Sequence, residues 1–226
     1  MASDFPRSPK LLKGGLVVYQ SQNPGPPPQV IVFQYNPEQM SRSLAMRAAP
    51  RDPGNVGSAR EDVLRVLGPP VETINLSVDL DAADQLAEPD KNPDTVQNGL
   101  HAPLAILEML LYPTTEKAQQ MLDFAQAGQV QVCPADVPLV LLAWGKSRVL
   151  PVLLTNFSVN EQAFDPQLNP IQAKVDLGMR VLTYMELQQG TLGYMAFLAY
   201  QRQKEMLAGQ YAPLGDPSRL LGLLPL

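Results

Sequence analysis

Few residues in this 226-residue chain could do chemistry. It has one histidine, His101, and one cysteine, Cys133. Mechanisms built on a His pair or a His–Cys couple therefore start weak. His101 precedes Pro103 at the start of a predicted helix and reads as structural. Cys133 is followed by Pro134 with no basic residue nearby, so nothing local favours a thiolate, and the thiol reads as inert. Asp79, Asp81 and Asp84 have the best look of a metal site, because carboxylates two apart on a strand share a side. A solvated strand face running into a turn explains them better. Glu161 and Asp165 have acid–base types, but no predicted apolar pocket splits their affinities for protons. Dinucleotide, phosphate-loop, nucleophile-elbow and zinc-protease motifs are absent from the sequence. No enzyme, cofactor or metal is expected. Met179, Met185, Met195 and Met206 read as adaptable packing.

The elements that carry these residues are mostly strands. Proline occurs 23 times, about twice the usual ~5%, which disfavours bundles and coiled coils. Charged residues make 17% of the chain against ~25% on average, and the net charge is −5. That balance speaks against a nucleic-acid binder, and the lean charge suggests surface covered by partners. A single cysteine allows no internal disulfide. The N-terminus shows no basic region followed by an apolar run, and no stretch reaches ~18 apolar residues, so synthesis in the cytoplasm without membrane insertion is expected. Strands are predicted over residues 16–20, 30–35, 40–47, 71–81, 139–144, 152–160 and 171–184. In 71–81, Ile74, Leu76, Val78 and Leu80 alternate with Thr73, Asn75, Ser77 and Asp79. In 152–160, Leu153, Phe157 and Val159 are placed on one side. Residues 82–99, broken by Pro89 and Pro93, read as a loop. Helices are predicted from Pro103 through Leu104, Leu107 and Leu111, over 115–127, and over 191–208, the last apolar nearly all round at its start. The fold class is mainly β, an α+β antiparallel barrel or sandwich with a flanking helix and a C-terminal helix.

The order of the motifs carries a resemblance. Phe33-Gln34-Tyr35-Asn36-Pro37-Glu38 ends one strand. Leu67-Gly68-Pro69-Pro70 precedes the alternating strand that ends in Asp81. Trp144-Gly145 closes another, and Phe164-Asp165-Pro166-Gln167-Leu168-Asn169-Pro170 turns a long hairpin. In this order, over roughly residues 14–187, the chain resembles tube-type proteins of contractile injection systems. It looks most like their baseplate adaptor between inner tube and spike in extracellular phage-tail-like particles. The resemblance implies a phage tail-tube-like β-barrel, assembled as a six-fold ring in a bacterial particle. The implied partners are copies of itself, an inner tube protein, a VgrG-like spike protein and other baseplate proteins. Residues 188–226 lack the LysM domain many such adaptors carry, which leaves that role to a separate small LysM protein. The division implied is an arm over 1–13, a barrel over 14–187, and a helix and docking tail over 188–226.

Asn36, Pro37, Trp144, Gly145, Phe157, Asp165, Asn169, Pro170 and Val175 are the candidate structural and interface residues. Trp144 is expected against the helix of residues 104–111. The hairpin of 152–160 and 171–184 is expected to make the ring, with Val175→Pro as its test. The segment 188–226 is expected to dock on neighbouring proteins. The alternatives are a monomeric β-sandwich binding module and a metal-dependent enzyme using Asp79 and Asp81.

Overall fold

Alternation along the chain becomes rows across a sheet. The computed structural model describes residues 12–19, 27–47, 66–126 and 137–211. Its strands are β1 (Gly15–Tyr19), β2 (Gln29–Val32), β3 (Met40–Ala45), β4 (Val71–Asp81), β5 (Leu139–Ala143), β6 (Val149–Phe164) and β7 (Pro170–Val181). They form one antiparallel sheet in the order β2-β1-β5-β6-β7-β4-β3. The register stacks apolar residues of β4, β7 and β6 side by side: Ile74–Met179–Leu154, Leu76–Leu177–Phe157 and Val78–Val175–Val159. Met179 and Val175 are fully buried, each such side chain being worth about 1.5–3 kcal/mol in removed apolar surface.

A bulge in β6 changes which residues face this core. The register shifts between Leu154 and Asn156. Because side chains alternate with a period of two, one extra residue exchanges the faces. Leu150, Val152 and Leu154 therefore share the core with Phe157 and Val159. Leu153 falls on the opposite face, correcting its expected place beside Phe157 and Val159. β2 is also shorter than expected and stops at Val32. Beyond it, the Phe33 N–H still bonds the Gly14 carbonyl at 3.0 Å. The Asn36 side chain then replaces the missing ladder: its Oδ1 accepts from the Gly14 N–H at 2.8 Å, and its Nδ2 donates to the Leu12 carbonyl at 3.0 Å.

The helices are α1 (Ala83–Leu86), α2 (Pro93–Asn98), α3 (His101–Glu108), α4 (Thr115–Gln126) and α5 (Leu192–Gly209). The loop expected over 82–99 is instead α1, a 3-10 turn at Pro89–Lys91, and α2. The prolines open the turn and α2, where their missing N–H costs nothing. None of the three pieces buries a residue, so no apolar period marks them in the sequence. α3 buries Leu104 and Leu107, with Leu110 just beyond it. α5 starts at Thr191, whose hydroxyl caps the Tyr194 N–H at 3.5 Å. Its Phe197 and Tyr200 belong to the same core as the strands. The helical part of the expected docking segment thus packs on its own chain.

Candidate functional site

The face of the sheet turned away from the core is polar over three strands, with Asp79, Asp176 and Lys174 among its charged members. Ser41, Asn75, Gly178 and Asn156 make one row across β3, β4, β7 and β6. Ser77, Asp176 and Ser158 make the next, and Asp79, Lys174 and Asn160 a third. The Asn75 amide points to the Ser41 hydroxyl at 3.5 Å, and the Ser77 hydroxyl donates to the Asp176 carboxylate. A Cβ at Gly178 would lie 2.9 Å from Asn156 Cβ and 3.1 Å from Asn75 Oδ1. Glycine there lets two asparagines close over the middle strand. The result is an open hollow of about 390 Å³ bordered by Gln39, Ser41, Ser77 and Asp176. Hydroxyls and amides of this kind hydrogen-bond water or a passing polar surface.

The second feature is unpaired backbone. Among the described residues, β2 pairs only with β1, and β3 only with β4. β5 covers β6 only up to Val152, so beyond it the edge of β6 away from β7 pairs with no strand among the described residues. These edges carry apolar side chains in solvent: Val30 and Val32 on β2, Leu44 on β3 and Met46 just after it. Such edges invite another strand.

The nine candidate residues do not converge on one site. Asn36 sits where the β1–β2 hairpin ends, with Pro37 half-buried behind it. Trp144 and Gly145 turn β5 into β6; the Trp144 N–H bonds the Arg148 carbonyl at 2.8 Å, and Gly145 has a left-handed φ of 73°. The Trp144 ring lies beside Phe33, with ring centroids 6.5 Å apart, and over Gly14. Phe157 and Val175 lie in the core rows. Val175 is fully buried on an inner strand, so Val175→Pro would break the fold and cannot isolate ring assembly.

Asp165, Asn169 and Pro170 are brought together at the hairpin tip. Asp165 Oδ1 accepts from the Gln167 and Asn169 N–H groups, both at 2.8 Å, and its Oδ2 from Asn169 Nδ2 at 2.8 Å. Desolvation pushes this carboxyl up, but the Asn169 side chain, the two backbone donors and the charge of His101 together hold it below the usual carboxylate range. Asn169 Nδ2 also bonds the Gln97 carbonyl at 3.1 Å, and the Leu100 N–H bonds the Pro170 carbonyl at 2.8 Å. The tip is therefore a joint between the hairpin and the α2–α3 turn. A side chain at Gly99 would meet the Pro170 carbonyl at 2.5 Å.

Among the acids, Asp81 is used in structure: Oδ1 accepts from the Ala83 N–H at 2.7 Å and Oδ2 from Gln172 Nε2 at 2.9 Å. Among the described residues, no three His, Cys, Asp or Glu side chains cluster in a way that could hold a metal. Cys133 lies outside the described residues. Sequence reasoning passed over two acids that matter. Glu72 is only 4% exposed and holds Arg42 at 2.8 Å and Lys204 at 3.2 Å, tying β3 and α5 to β4. Its signal is an acid on the apolar parity of the 71–81 alternation. Glu186 binds Arg180 and Arg47 and accepts from the Thr183 N–H at 3.2 Å. Desolvation raises its affinity for a proton, yet the bonds from Arg180 and Thr183 and the Arg180 charge hold it below the usual range.

Compared with known proteins, the chain matches no family model and no curated protein. Among the described residues, no helix is long and apolar enough to cross a membrane.

Proposed function

We propose that this chain is a structural subunit of a contractile injection system, forming a six-fold ring that connects the inner tube to the spike. The observation that carries the reading is the set of unpaired strand edges on one sheet. An edge at one end that accepts a different edge of the next copy makes a heterologous contact, and such contacts generate a ring when the rotation between copies closes. Strand addition would also cover the exposed Val32 and Leu44. In this ring the polar rows of Asn75, Ser77, Asn156 and Asp176 face the lumen, and the fold is a tail-tube-like barrel. The motif order over residues 14–187 supplies the identity of the particle. The partners are then copies of the chain, the inner tube protein, the VgrG-like spike, other baseplate proteins and a small LysM protein. Assembly takes place in the bacterial cytoplasm. A binding module would present aromatic side chains on one sheet face, and the three polar rows carry none.

Native mass spectrometry and negative-stain microscopy of the full chain, alone and with tube and spike proteins, test this. Six-fold rings are expected, and Leu44→Lys on the half-exposed edge should leave a folded chain that no longer closes them. A chain that stays monomeric in every mixture overturns the reading.

A further inference from the structure

The free edge of β2 stands over an apolar groove. The groove is lined by Val30, Val32, Leu80, Pro103, Ile106 and Leu107 and has a volume of about 370 Å³. A second hollow of about 230 Å³, beneath Met109 and Tyr112, shares Gln29 and Ile106 with it. Both are within or near the size of sites that hold small ligands or side chains. Two hydrogen bonds between the Gln34 side chain and the Asp81 backbone, at 2.6 and 2.9 Å, close one end. Ile106, Met109 and Tyr112 all have more than a third of their surface exposed. Surface this apolar, beside unpaired backbone, fits an extended apolar strand.

One segment of the chain outside the described residues has that chemistry. Residues 212–226 hold six leucines, ending in Leu220-Leu221-Gly222-Leu223-Leu224-Pro225-Leu226 with no charge. Residues 20–26 have no large apolar side chain, 48–65 carry six charges, and 1–11 and 127–136 are sparsely apolar.

We infer that residues 212–226 of one copy lie in the β2–α3 groove of a neighbouring copy, adding an extended apolar segment to β2. The inference takes its neighbour from the ring reading. The test uses the full chain with Leu223 replaced by photoreactive benzoyl-phenylalanine, as an equal mixture of isotope-labelled and unlabelled protein. Mass spectrometry after illumination is expected to find cross-links from position 223 to residues 29–34 and 102–109, with mixed isotopes. Ile106→Glu, at a half-open surface position, should lower their yield about tenfold, because an apolar segment then faces a charge. Cross-links to other regions, cross-links only within one isotope, or a yield unmoved by Ile106→Glu each overturn the inference. Native mass measured on the same sample separates the two readings. Mixed-isotope cross-links to the groove in an assembly without six copies would keep the docking and sink the six-fold ring.

Discussion

Strand β6 has two characters, divided by its bulge. Before it, Leu150 pairs with β5 and Val152 with both β5 and β7, and both are almost wholly buried. There β5 is buried on both faces, from Leu139 through Leu142. After the bulge, β6 has one strand neighbour, and Asn156, Ser158, Asn160 and Phe164 are exposed. The near half has the burial that stabilises a fold. The far half keeps one apolar face and leaves a polar face and an edge open, which suits a surface meant for partners.

The sharpest way to break this contrast is to delete the same kind of atoms from both halves. Leu150→Ala, fully buried, should cost about 2–5 kcal/mol in chemical denaturation. Phe164→Ala removes more atoms from the far half, yet at 49% exposure it should move stability by no more than about 0.5 kcal/mol. Equal losses would show that the far half is as much core as the near half.

A smaller effect sits on the polar face. Gly178→Val places side-chain atoms against Asn156 and Asn75, which overpacks the row and should cost about 1–3 kcal/mol by the same measurement. A neutral result would mean that the rows are loose and the hollow is not a built surface. Next in size, Asn36→Ala removes two hydrogen bonds to Gly14 and Leu12 and should cost about 1–2 kcal/mol. Amide exchange at Gly14 should speed up with it; unchanged exchange would remove Asn36 from the hairpin's support.

How much of this was legible follows from how each element meets the core. β4 and β7 bury one face each, so Ile74, Leu76, Val175 and Leu177 announced their strands by alternation. α1 and α2 bury nothing, so no pattern marked them. The bulge at Leu154 exchanges faces without changing any residue type, and Leu153 was misplaced for that reason. Asn36, Asp165 and Asn169 stand out as turn residues, and their side chains do bond backbone; Asp165 meets the Gln167 N–H two residues on, within its own turn, whereas Gly14 and Gln97 are set by tertiary contact and leave no local mark. Glu72 was visible as a parity violation, but Lys204 lies 132 residues away, and only the fold joins them.

The smallest predicted effect compares the halves by acid. Glu186, after β7 in the near half, and Asp165, at the far tip, both have carboxyls held below their ordinary range. A group depressed in the folded state adds stability above its unfolded titration, and that stability is lost as pH falls through the folded value. The Glu186 and Arg180 side chains are both still 28% exposed, so solvent screening limits its share to under about 1 kcal/mol. Glu186→Gln should therefore be less stable than the parent protein at pH 7, where the ionised group is bonded to Arg180 and Thr183. The gap should close as pH drops through and below the usual carboxylate range, near pH ~4. Asp165→Asn should show the same convergence, because its donors, the Asn169 side chain and the Gln167 and Asn169 N–H groups, likewise favour the ionised form. Denaturation curves for the three proteins at neutral and acid pH decide the matter. A Glu186→Gln deficit that stays constant with pH would mean that the residue contributes by packing, and that the charges around Arg47 and Arg180 do not hold the near half together.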